Sequence, residues 1–308
     1  MVRAYVFPGQ GSQSVGMVDD FVRGSSTFTD RLKEASNLID LDLTTIVANG
    51  PAEILNQTEI TQPALLVSSV AMYEYFREMG GPSANMLSGH SLGEYTALVV
   101  SGALDFSDGV KLVYERGCLM QKAVPKGEGK MAAVLGLSDE VIEQVCERID
   151  GIVAPANFNS PGQVVIAGSS KAVEQASDQC KDEGARRVVP LDVSVPSHCS
   201  LMDSAAEGLL DLLEKVSIQA PRVPVYQNVD AQPSTSPDEI RAKLVEQVRS
   251  PVLWSRCVTS MIRDGAEEFF ECGPGKVLSG LMRRIDRSVS TTALGDFNDF
   301  ITQLEMYQ

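Results

Sequence analysis

Two strand-like runs, IVAPANFN (152–159) and QVVIAGS (163–169), are separated only by Ser160-Pro161-Gly162. A three-residue link containing Gly between two such runs signals a hairpin, so the strands are expected to pair antiparallel. Helical patterns flank the pair: SDEVIEQVCERID (138–150), with Ser138 at its N-cap, and SKAVEQASDQCKDEG (170–184). Two further strand-like runs, MAAVLGL (131–137) and ARRVVPLDV (185–193), complete the order β-α-β-β-α-β. That order is the ferredoxin-like unit. It predicts a small inserted domain over residues 126–194.

On either side of this segment, strands alternate with helices. RAYVF (3–7) reads as a buried strand that stops at Pro8, and PSANML (82–87) and EEFFECG (267–273) read as further strands. Helices are predicted over 27–39, 59–80, 93–104, 106–124, 200–216, 237–248, 251–265 and 274–285. Pro63 is expected in the first turn of its helix, and Ser107 or Asp108 at the cap of the 106–124 helix. Residues 229–237, VDAQPSTSP, are the most loop-like. The alternation favours an α/β fold with a mostly parallel sheet, so residues 1–125 and 195–308 are expected to form one larger domain interrupted by the insert.

The chain has 308 residues and a formal net charge of −15, which disfavours nucleic acid and anionic lipid as partners. No run reaches the roughly 20 apolar residues that span a bilayer. The start, MVRAYVFPGQGSQ, has too short an apolar run for a signal peptide and reads as a first strand. Six scattered cysteines without a CxxC pair suggest reduced thiols and a cytoplasmic protein. With only two histidines, no metal site is expected. A monomer is the expected state.

The chemistry lies in SGHSLGE (88–94), where a serine flanked by Gly89 and Gly93 sits between a strand and a helix. This is the spacing of a nucleophile elbow. A serine hydroxyl needs a base, and histidine is the best base near neutral pH. Neighbours at a tight turn point apart, so His90 is a poor base for Ser91. That leaves His198, in VPSHCSLMD. The Leu92 N–H, at a helix start, is placed to stabilise an oxyanion. Gln10, in the PGQGSQ loop, is a candidate second donor; that loop lacks a P-loop ending and does not fit GxGxxG. Asp192, Asp203 or a backbone carbonyl is able to orient His198, and spacing alone does not choose among them. A serine hydrolase would share Ser91, His198 and the oxyanion donors.

FPGQGSQ (7–13), GHSLGEYTAL (89–98), ERG (115–117), NSPGQVVIAG (159–168), VPSHCSLM (195–202) and GPGKVLSGL (273–281) closely resemble the malonyl-CoA:acyl carrier protein transacylases of bacterial-type fatty acid synthesis. The resemblance runs in order over essentially the whole chain. Polyketide synthase acyltransferase domains share the general pattern, but a free-standing enzyme is expected here. The resemblance implies an α/β-hydrolase-like large domain, a ferredoxin-like small domain and an active site between them. It implies malonyl transfer from malonyl-CoA to holo-acyl carrier protein by a ping-pong route through malonyl-Ser91, without a cofactor. His198 would be the base, Gln10 and Leu92 the oxyanion hole, and the backbone carbonyl of Gln247 the histidine's orienting group.

Arg116 would hold the malonyl carboxylate, since a guanidinium pairs bidentately with a carboxylate and stays charged. Ser197 is expected to help shape the acyl end of the pocket, and Asn159 and Gln163 to lie near the cleft. Acyl carrier proteins of this pathway are acidic, so Arg187, Lys276, Arg283 and Arg284 are candidate contacts for the carrier protein or for coenzyme A.

Overall fold

A computed structural model describes residues 1–193 and 195–307. Ser194, the expected last residue of the inserted segment, lies outside the described residues. The strands are β1 (Val2–Phe7), β2 (Met86–Gly89), β3 (Gly129–Leu135), β4 (Val153–Ser160), β5 (Gln163–Ser169), β6 (Arg187–Pro190), β7 (Val225–Tyr226), β8 (Ala266–Glu271) and β9 (Ser290–Ala293).

They form two sheets. One is five-stranded, in the order β7-β2-β1-β8-β9, with every pair parallel. Helices cover both faces, so its strands are near-continuous apolar runs. Residues 4–7 of β1, at its centre, are fully buried. Tyr5 stacks on Phe270 of β8 at 4.9 Å, and Phe76 of the helix Thr58–Glu78 packs on Phe270 at 5.7 Å. The chain leaves β1 toward β2 on one side and later returns to β8 on the other. A crevice opens where strand order reverses in this way, at the carboxyl ends of the strands.

The second sheet, β4-β5-β3-β6, is antiparallel throughout. With helices Asp139–Arg148 and Ser170–Asp182 it has the predicted β-α-β-β-α-β order. Alternation along the strands gives the sheet two apolar faces. Ala132, Val134, Val164 and Ile166 face its own helices, and Met131, Ala156, Val165 and Ala167 face Cys199 and Leu201 of the larger unit. The free edge of β4 is closed by the segment at Val252, which exchanges two 2.9 Å backbone hydrogen bonds with Ala156 and Phe158.

Several local expectations shift. The second strand begins at Met86 rather than Pro82 and extends through Gly89, because pairing with β1 and β7 begins at that level. Pro63 is the sixth residue of its helix, which starts earlier, at Thr58. Asp105 caps the helix Phe106–Ala123 by accepting from the Ser107 N–H at 2.8 Å.

Phe270→Ala should lower stability by about 3–5 kcal/mol through the cavity it leaves. Urea unfolding followed by circular dichroism measures this directly.

Candidate active site

β2 ends at Gly89, and the helix Leu92–Val100 begins after only two intervening residues. Between them Ser91 adopts φ 52°, ψ −108°, a conformation that L residues rarely hold. The turn is so tight that a Cβ on Gly89 would lie 1.9 Å from the Gly93 carbonyl carbon, and one on Gly93 would lie 2.0 Å from the Phe7 carbonyl oxygen of β1, which explains both glycines of the motif. Ser91 Oγ is 2.7 Å from His198 Nε2, and His198 Nδ1 is 2.6 Å from the Gln247 carbonyl oxygen. A carbonyl only accepts, so Nδ1 carries the hydrogen and Nε2 presents its lone pair to the serine hydroxyl. His198 also has a positive φ, 65°, and its amide donates to the Val248 carbonyl. Neither aspartate weighed from the sequence orients the imidazole: Asp203 pairs with Arg249 at 3.6 Å, and Asp192 is exposed. Burial, reinforced by the Arg116 charge, pushes the His198 pKa down to about 3. The imidazole is thus neutral at any ordinary pH.

Arg116, on the helix Phe106–Ala123, is 2% exposed. Its Nη1 donates to Gln62 Oε1 at 2.7 Å, and its Nη2 to Gln247 Oε1 at 3.0 Å and to Ser91 Oγ at 3.4 Å. Tyr95 lies beneath it, 5.2 Å from the guanidinium carbon. Its Nε has no partner, and among the described residues no carboxylate forms an ion pair with it. A buried charge without a counter-ion is costly, so a site of this kind is completed by an anionic ligand.

These groups line a cavity of about 100 Å³ together with Gln10, Leu92, Met131, Leu191, Val193 and Ser197. The small sheet and the segment after it supply the apolar wall. The backbone N–H groups of Gln10 and Leu92 have no hydrogen-bond acceptor among the described residues. They follow the carboxyl ends of the adjacent strands β1 and β2.

A match to the acyl transferase domain family covers residues 4–293. The malonyl CoA-acyl carrier protein transacylase of Escherichia coli (strain K12) is 49% identical over 305 residues, covering 98% of this chain and 99% of the relative. The chain belongs to this family of acyltransferases. The solved structure of the transacylase from Coxiella burnetii is 43% identical, with a TM-score of 0.97 over 100% of this chain and 98% of that one. A malonyl-transacylase solved in complex with its type II PKS acyl-carrier protein is 46% identical, with a TM-score of 0.98, covering 99% and 100% of the two chains.

Other expected residues of this acyltransferase fall at varied distances from the cavity. Asn159 stands behind its lining, where its Oδ1 accepts from His90 Nε2 at 2.8 Å; this bond joins the small sheet to the elbow. Gln163 does not line the cavity and instead accepts a hydrogen bond from Arg284. Arg187, Lys276, Arg283 and Arg284 are exposed. Lys276 and Arg283 flank one groove beside β9, whereas Arg187 lies on β6 of the other sheet.

Sequence reasoning missed Asn228, just past β7. Its Oδ1 accepts from the Ser91 N–H at 2.8 Å, and its Nδ2 donates to the Gly89 carbonyl at 2.8 Å, so one side chain clamps both sides of the elbow. Glu94 was missed as well. Its carboxylate accepts from the Asn228 N–H at 2.7 Å, and burial pushes its pKa up to about 7. No local pattern marks Asn228, because β7 is only two residues long; Glu94 stands in the SGHSLGE run itself, but its burial and its partner 134 positions away arise only in the folded chain.

Labelling of Ser91 by phenylmethylsulfonyl fluoride tests the state of the dyad. A histidine with an ordinary pKa near 6.5 would slow labelling about tenfold at pH 5.5. With the folded-state pKa lowered to about 3, the neutral base persists, and the rate should be flat between pH 5 and 8.

Proposed function

We propose that this protein transfers the malonyl group from malonyl-CoA to the phosphopantetheine thiol of holo-acyl carrier protein, by a ping-pong route through malonyl-Ser91. The observation that carries this reading is the buried guanidinium of Arg116, which no carboxylate pairs with among the described residues, standing 3.4 Å from Ser91 Oγ. A carboxylate on the acyl group supplies the missing counter-ion; an acetyl group does not. The solved complex of a close relative with an acyl-carrier protein supports the acceptor.

Ser91 Oγ attacks the thioester carbonyl while its proton passes to His198 Nε2. The carbonyl π electrons move to oxygen, which receives the Gln10 and Leu92 N–H groups. Collapse of the tetrahedral intermediate breaks the C–S bond, and coenzyme A leaves with the proton returned by His198. The carrier-protein thiol then gives its proton to His198, attacks the malonyl ester and regenerates the serine hydroxyl. The Gln247 carbonyl holds the imidazole through both halves. Ser197 contributes to the acyl end of the cavity, and Asn159 holds His90.

Residues 1–125 and 195–308 form the catalytic domain in this reading, and 126–194 the ferredoxin-like domain that roofs the acyl site. In this reading the chain acts as a monomer in the cytoplasm. Arg283 and Arg284, with Lys276 and Arg187 as further contacts, receive the acidic carrier protein or the phosphates of coenzyme A.

Rapid quench with malonyl-CoA followed by peptide mass spectrometry should show a malonyl adduct on Ser91, absent in Ser91→Ala. Arg116→Ala should cut malonylation on the order of 10²-fold or more, while acetylation changes little. Release of free malonate without an adduct would favour a hydrolase. Charge reversal at Arg283 and Arg284 should weaken transfer to the carrier protein and spare acylation by malonyl-CoA; unchanged transfer kinetics would remove these residues from the docking surface.

A further inference from the structure

Four side chains join the two ends of the cavity. Arg116 Nη1 donates to Gln62 Oε1 at 2.7 Å, Gln62 Nε2 donates to Thr58 Oγ1 at 2.9 Å, and Thr58 Oγ1 donates to Gln10 Oε1 at 3.0 Å. Thr58 and Gln62 are buried, at 0% and 1% exposure, so water does not compete for these bonds.

The direction of the chain follows from donor chemistry alone. A guanidinium has hydrogens and no acceptor, so it must meet the oxygen end of the Gln62 amide. The nitrogen end then faces Thr58 and occupies a lone pair of its hydroxyl. The hydroxyl has a single hydrogen, which is left for Gln10. Gln10 must therefore turn its oxygen toward Thr58 and keep its amide nitrogen for other partners. Each link settles the sense of the next, and bonds in series polarise one another.

The backbone holds the path together. The helix bearing Arg116 presses on the start of the helix bearing Thr58 so closely that a Cβ on Gly117 would lie 2.4 Å from the Glu59 Cα. The two helix backbones are thus in direct contact beside the hydrogen-bonded chain.

We propose that the Thr58 hydroxyl is a positioning residue that couples the acyl-binding guanidinium to the oxyanion hole: by anchoring the Gln10 side chain it fixes the loop residue whose backbone N–H faces the oxyanion, so that occupation of Arg116 bears on the placement of that N–H. The proposal rests on the malonyl-transfer reading. It predicts that recognition of the acyl carboxylate appears in the rate of the chemical step as well as in binding.

The test is single-turnover acylation of Ser91 by malonyl-CoA, read by rapid quench and mass spectrometry, in the unsubstituted protein, Thr58→Val, Thr58→Ser and Arg116→Ala with and without Thr58→Val. Valine keeps the shape of threonine and removes the hydroxyl; serine keeps the hydroxyl. Thr58→Val should lower the saturating rate about tenfold, with the half-saturating malonyl-CoA concentration changed less than about threefold. Thr58→Ser should stay within about threefold of the unsubstituted rate, and in the Arg116→Ala background Thr58→Val should cost less than about threefold. An unchanged rate in Thr58→Val, an equal loss in Thr58→Ser, or a full loss persisting without Arg116 would each overturn the coupling. Failure of the unsubstituted protein to form any adduct would overturn the functional reading, and the coupling with it.

Discussion

Among the described residues no carboxylate pairs with the buried Arg116 guanidinium, and the site is arranged around that charge. Removing such a group from water costs several kcal/mol unless its hydrogens find partners. Here neutral oxygens supply them: Gln62 on one side, Gln247 on the other and the Ser91 hydroxyl in front. Neutral acceptors satisfy hydrogens but leave the charge unbalanced, and a ligand carboxylate is able to complete it. The same charge adds to burial in keeping His198 unprotonated. The guanidinium thereby also helps keep the imidazole neutral, with a lone pair facing the serine hydroxyl.

Gln247 connects the parts. Its carbonyl accepts from His198, its side-chain oxygen accepts from Arg116, and its side-chain nitrogen donates to the Ser91 carbonyl at 3.0 Å and to Asn228 at 3.3 Å. Two residues of the dyad sit at positive φ, and this network over-determines their positions. Strained turns persist where surrounding bonds leave them no alternative. Glu94 and Asn228 supply that restraint from beneath the elbow, and the His90–Asn159 bond supplies it from the small sheet.

Legibility in the sequence followed the range of the forces involved. Strands β1, β3, β4, β5, β6 and β8 and the longer amphipathic helices were readable because their patterns are local. β7 was not, being two residues long and defined by pairing with β2, far away in sequence, and β9 was not, being a short polar edge strand without an apolar pattern. The helix Phe297–Glu305 was also missed. It is short, and its Phe297 and Phe300 are held by Phe21 at 5.2 and 5.3 Å, a contact between the two ends of the chain. Pro63 was placed too early because its helix starts at the buried Thr58, with no side-chain cap to mark the start.

By itself the sequence determined the tight turn at Ser91, through Gly89 and Gly93, and the pairing of one serine with one remaining histidine. It also determined the β-α-β-β-α-β unit through its hairpin and periodicity. These rest on backbone sterics and side-chain period, which act over a few residues. The tertiary structure decided which group orients His198, what partners Arg116, and that Asn228, Glu94, Gln62 and Thr58 belong to the site. Those residues meet across separations of up to 139 positions. Hydrogen-bond partners in a buried site are chosen by proximity and desolvation, and neither exists until the sheets have packed.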